Sequence, residues 1–113
     1  MKRSLEKNLE AMTPAEREDA IQTLSEITWE IAKYSHSYLW EGHGKIKWNT
    51  DITVQLGTDV IVFWSSYYES YRHCYYTKSL TFNGQKTTRT LVKNIIEKLQ
   101  ALNASADEEP IFL

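Results

Sequence analysis

KIKWNTDITVQLGTDVIVFWSSYYESYRHCYYTKSLTF (Lys45 to Phe82) is the stretch from which the architecture is read. In its first part Ile46, Trp48, Ile52, Val54 and Leu56 alternate with Lys45, Lys47, Asn49, Asp51, Thr53 and Gln55. Period two with one apolar face is the mark of a half-buried strand. Gly57 to Asp59 predicts a short hairpin connection. The next run, VIVFWSSYY, is apolar on both faces as far as Trp64, which suits a central strand paired on both sides. Glu69 to Arg72 (ESYR) reads as its return loop. A third strand follows, with Cys74, Tyr76, Leu80 and Phe82 on one face and Tyr75, Thr77, Ser79 and Thr81 on the other; Lys78 interrupts the apolar side.

Upstream, TPAE (Thr13 to Glu16) places Thr at an N-cap, Pro at the first helical position and Glu three residues after the cap. That is a capping box, and its acids suit the positive end of a helix dipole. Ile21, Leu24, Ile27, Ile31, Tyr34 and Tyr38 then recur at three- and four-residue steps, predicting a helix from about Pro14 to Leu39 that Gly42 terminates. Leu5, Leu9 and Met12 predict a shorter helix in front. Downstream, NGQKTT (Asn83 to Thr88) reads as a loop and helix start. Leu91, Val92, Ile95, Ile96, Leu99 and Leu102 define a last amphipathic helix with Asn103 as its C-cap.

The expected fold is therefore α+β, in the order α-(α)-β-β-β-α: a three-stranded antiparallel meander with two main helices packed on one face. Residues 1–12 form a short N-terminal amphipathic helix, 13–103 a single domain, and 104–113 an acidic and then apolar tail. A chain of 113 residues can bury a core without disulfides or metal. The N-terminus has no apolar h-region and no run is long enough to span a bilayer, so no membrane is expected. The single Cys74 suits a reducing, cytoplasmic setting.

Charge is uneven along the chain. Residues 1–44 carry five Lys/Arg against eight Asp/Glu, residues 45–103 eight against four, and residues 104–113 none against three. The meander and last helix are thus mildly basic between acidic flanks.

With helices on one sheet face, the other carries either Ile61, Phe63, Ser65 and Tyr67 or Val60, Val62, Trp64, Ser66 and Tyr68 from the central strand. Both sets put large apolar groups beside polar neighbours, and such a patch marks an interaction site. Trp64, Tyr67, Tyr68 and Tyr75, with Phe112 from the tail, are the candidate protein-binding residues, because Tyr and Trp bury large areas and keep a polar handle. A second copy of the chain could use the same open face. For a nucleic-acid ligand the rings would stack on bases while Lys45, Lys47, Arg72 and Lys78 meet phosphates. The helix–three strands–helix order over residues 20–103 resembles that of double-stranded RNA-binding domains in topology, and that resemblance implies RNA binding. The last helix here carries Lys86, Arg89 and Lys93 near its start, without that family's alanine-rich packing, and the first long helix is acidic.

Catalytic chemistry is not indicated. His73 and Cys74 are strand neighbours and point to opposite faces, so they form neither a nucleophile–base pair nor part of a metal cluster. His36 and His43 flank Glu41 near the long helix's end, with no further ligand at metal-binding spacing. EGHGK (Glu41 to Lys45) is too short for a phosphate loop and precedes a strand. The expectation is a protein without cofactor or enzymatic activity that binds another protein. It would be a small inhibitor, an adaptor or an immunity-type accessory protein such as phages and mobile elements encode. RNA or DNA binding through the same face is the alternative.

Overall fold

The computed structural model describes residues 2–36, 46–70 and 73–107, and side chains within 2–31, 50–66 and 77–105. Three helices and four strands follow in the order α1 (Arg3–Ala11), α2 (Pro14–His36), β1 (Ile46–Leu56), β2 (Asp59–Ser70), β3 (His73–Phe82), β4 (Gln85–Lys86) and α3 (Arg89–Asp107). The strands form one antiparallel sheet in sequence order. This is an α+β fold, with one strand more than the sequence pattern suggests.

The extra strand comes from the turn chemistry of Asn83 and Gly84. Both have positive φ, 52° and 81°. Two such residues make the type I′ turn whose twist suits a tight hairpin. Phe82 therefore pairs with Gln85 and Thr81 with Lys86, and the Thr87 amide adds a bond to the Leu80 carbonyl at 3.0 Å. Gly57 (φ 66°) turns β1 into β2 through a two-residue loop closed by the Leu56–Asp59 pair. Glu69 and Ser70, expected in a loop, extend β2 and pair with Cys74 and His73.

The predicted capping box is present. The Glu16 amide donates to Thr13 Oγ1 at 3.1 Å, and the Thr13 amide donates to Glu16 Oε1 at 2.8 Å. Hydrogen bonding to the Glu16 carboxyl from Thr13, its backbone amide first and then its side chain, holds that carboxyl below its ordinary pKa. From this start Ala20, Ile21, Leu24, Ile27 and Ile31 are buried as one stripe. They meet Val92, Ile95 and Leu99 of α3, Leu5 and Leu9 of α1, and Val54, Leu56, Ile61 and Phe63 of the sheet. Ile52, Leu80 and Phe82 pack half-buried against this cluster. The core lies between the helices and one sheet face, and α1 contributes to it directly. Positions 37–45 and 108–113, which include Tyr38, Leu39, Gly42 and most of the tail, lie outside the described residues.

Two polar assemblies join the elements. Asp59, 8% exposed, accepts hydrogen bonds from Asn8 Nδ2 at 2.7 Å and Asn83 Nδ2 at 2.9 Å. It ties α1 to both tight turns. Arg17, also 8% exposed, donates from Nε to the Leu9 carbonyl at 3.1 Å and from Nη2 to the Glu10 carbonyl at 2.8 Å. These carbonyls belong to the last turn of α1, where intrahelical partners run out. Nη1 reaches Asn103 Oδ1 at 3.4 Å, and Asn103 Nδ2 donates to the Pro14 carbonyl at 3.1 Å. Asn103 is thus a tie between α3 and the α1–α2 junction. It does not end its helix, because Ala104, Ser105 and Ala106 carry α3 on to Asp107.

Candidate functional site

Pairing register decides which side of β2 looks away from the helices. Opposite pairs in an antiparallel sheet share a face. Ile52–Phe63–Leu80 and Val54–Ile61–Phe82 are rows of the core face, and Phe63 and Ile61 are fully buried. The outer rows are Thr53–Val62–Thr81–Lys86, Asp51–Trp64–Ser79, Asn49–Ser66–Thr77 and Lys47–Tyr68–Tyr75. Of the two sets open to the central strand, Val60, Val62, Trp64 and Ser66 face outward.

Trp64 stands at the middle of that face and is 38% exposed. Val60 and Val62 are half-buried beside it, while Asp51, Thr53, Gln55, Thr77 and Ser79 are exposed around them. The result is one indole with valines beside it on β2 and exposed polar side chains to either side. By register, Tyr68, Tyr75 and Lys47 fall in one row on the same face, four residues along β2 from Trp64. That separation is about 13 Å at 3.3 Å per residue. Tyr67 takes the opposite parity, in the row Trp48–Tyr67–Tyr76, and Lys78 pairs with Ser65 on the core-side face. Lys45, Arg72 and Phe112 lie outside the described residues.

Three features have no counterpart in the sequence reasoning. Trp29 is 60% exposed on α2. At 100° per residue it lies about 200° around the helix from Ile27, pointing away from the core. Its sequence signal was its absence from the apolar stripe. The second feature is a groove of about 520 Å³ beside β3, lined by Ile31, Phe63, Leu80, Lys78, Lys86, Thr87 and Arg89 among others. The third is Ser65, fully buried in the row Thr50–Ser65–Lys78, whose Oγ has no hydrogen-bond partner among the described residues.

Among the described residues no three of His, Cys, Asp and Glu converge as a metal site, and no helix is long and apolar enough to cross a membrane. In comparison with known proteins, no family model, no curated protein and no solved structure matches this chain.

Proposed function

We propose that this chain is a non-catalytic binding module that grips another protein through its outer sheet face, as a small regulator, inhibitor or adaptor. The observation that carries this reading is Trp64, left 38% exposed at the centre of a sheet face with the valines beside it. A large ring with a hydrogen-bonding edge, set among small polar groups, has the make-up of an interface anchor and its rim. Asp51 lies opposite Trp64 in register. A carboxylate at the centre of the face repels phosphates, which favours protein over nucleic acid as the ligand. A cytoplasmic setting fits this role, since Cys74 is the only cysteine.

A second reading rests on the Lys47–Tyr68–Tyr75 row, which combines a cation with two rings suited to stacking on bases. One experiment separates the two. Labelled RNA and DNA are titrated with the protein at low salt, and affinity capture is run in parallel with the unmodified chain and Trp64→Ala. Protein capture lost in Trp64→Ala at unchanged melting temperature, with no saturable nucleic-acid binding, supports the first reading. Saturable, salt-sensitive nucleic-acid binding that Lys47→Glu abolishes replaces it with the second.

A further inference from the structure

We propose that the groove at the start of α3 binds a single-headed organic anion, a carboxylate or phosphate attached to an apolar body. This site is separate from Trp64 and the outer sheet face and does not depend on the reading given to them.

The groove has the size and lining for such a guest. Its volume of about 520 Å³ falls within the roughly 300–1,000 Å³ usual for small-molecule pockets. Ile31, Phe63 and Leu80 give it an apolar floor. Lys86 and Arg89, both exposed, bring charge to its rim, with the Thr88 hydroxyl between them in sequence. A mostly apolar pocket with a few placed polar groups holds a ligand by its body and orients it by its polar end. Lys78 also lines the groove, has an interaction of its own within the chain, and needs no part in holding the anion.

Charge selects the head. Among the described residues that line the groove none is acidic. Arg89 is the first residue of α3, Lys86 stands three residues before it and Lys93 one turn after, and the first turn holds no acid. A helix start favours negative charge, and cations four residues apart on a helix, as Arg89 and Lys93 are, repel each other. α2 has the ordinary arrangement, with Glu16 in its first turn. The start of α3 therefore concentrates cations where the helix dipole favours an acid, and an anionic head in the groove offsets that cost. The planar fork of Arg89 suits a carboxylate or a phosphate equally.

The floor selects the body. A bare anion would engage Lys86 and Arg89 and leave the apolar surface of the half-buried Leu80 uncovered. A ligand that carries an alkyl chain or ring behind its head removes that surface from water as well. The hollow beside β1 offers no such site, because Glu16 and Asp19 line it.

Isothermal titration calorimetry of the full chain with octanoate, octyl phosphate, 1-octanol and inorganic phosphate tests this. Octanoate or octyl phosphate should bind saturably, at least about tenfold more tightly than 1-octanol or inorganic phosphate, and the tighter of the two identifies the head. Lys86→Glu with Arg89→Glu should weaken that binding by about tenfold or more, with an unchanged circular dichroism spectrum, since acids at a helix start are favoured. Lys2→Glu with Lys7→Glu makes the same change in net charge at exposed positions near α1 and should leave the affinity unaltered. The amide resonances of Thr88 and Arg89 should move as the ligand binds. Saturable binding by neither anion, equal affinity for 1-octanol, or equal loss in the Lys2 and Lys7 variant would each overturn the proposal. Inorganic phosphate that binds as tightly as octyl phosphate would also overturn it, by showing that the floor takes no part. So would an RNA oligonucleotide that binds through Lys86 and Arg89 while neither octyl anion does.

Discussion

Asp59 and Asn83 hold two tight turns in contact: Asn83 Nδ2 donates to the Asp59 carboxylate at 2.9 Å, while Asn83 Oδ1 accepts the Val60 backbone amide at 2.8 Å. Asn83 also sits at positive φ in its own turn, so one residue shapes the second hairpin and buttresses the first. Asn8 approaches the same carboxylate from α1. Asp59→Ala removes a charged acceptor shared by two amides and should lower unfolding free energy by about 2–3 kcal/mol. Urea denaturation measures this, and a loss below about 0.5 kcal/mol would show the bonds contribute nothing net.

Gly57 and Gly84 both have positive φ, yet alanine should act differently at the two. A Cβ on Gly84 meets nothing within 4 Å, so Gly84→Ala should cost only the left-handed backbone penalty, about 1 kcal/mol. A Cβ on Gly57 would lie 2.6 Å from Asn8 Oδ1. Gly57→Ala should therefore cost more, by displacing Asn8 from Asp59. Adding Asn8→Ala should erase most of the difference, which a double-mutant cycle reads directly. Additive costs would contradict this coupling.

Among the described residues the buried Ser65 hydroxyl has no hydrogen-bond partner. Burying a hydroxyl without a partner costs about 1–3 kcal/mol, and Ser65→Ala removes the oxygen while leaving almost the same volume. The denaturation midpoint should rise, by about 1 kcal/mol in free energy. A fall would mean that the oxygen has a partner in solution.

Glu16 links stability to pH. Its folded pKa is lowered by hydrogen bonding from Thr13, the backbone amide first and then the side chain. A carboxyl depressed on folding contributes stability that is fully present above its unfolded value and is lost as pH falls through the depressed folded value. Glu16→Gln should flatten the acid limb of the stability profile in that window and leave the slope near neutral pH unchanged. Thermal melts across the acid range test it, and identical acid limbs in the two proteins would contradict it.

How far the fold was legible depends on which residues speak locally. Thr13 and Glu16 announced the start of α2 because both halves of the capping box lie within four residues. The stripe through Ile21, Leu24, Ile27 and Ile31 announced its buried face because those side chains repeat. The β1 alternation did the same for the sheet. β4 escaped because two residues, Gln85 and Lys86, carry no alternation, although Asn83–Gly84 is a strong hairpin dipeptide. The outward side of β2 could not be read from a run apolar on both sides; pairing with β1 and β3 selected it. Arg17 and Asn103 were opaque for another reason. Their roles depend on partners brought together only by the packing of α1 and α3, and an arginine in an acidic helix otherwise reads as solvated.

Arg17 also changes what kind of object the N-terminal helix is. With Leu9 and Glu10 held by a buried guanidinium and Leu5 and Leu9 in the core, lifting α1 uncovers two leucines and strands a charge. Such a segment does not fray as chain ends ordinarily do. It belongs to the same cooperative unit as α2 and α3, so its innermost amides should exchange hydrogen only when the whole domain unfolds. For a protease the peptide bond after Arg17, however favourable its sequence, is a target only in the unfolded chain.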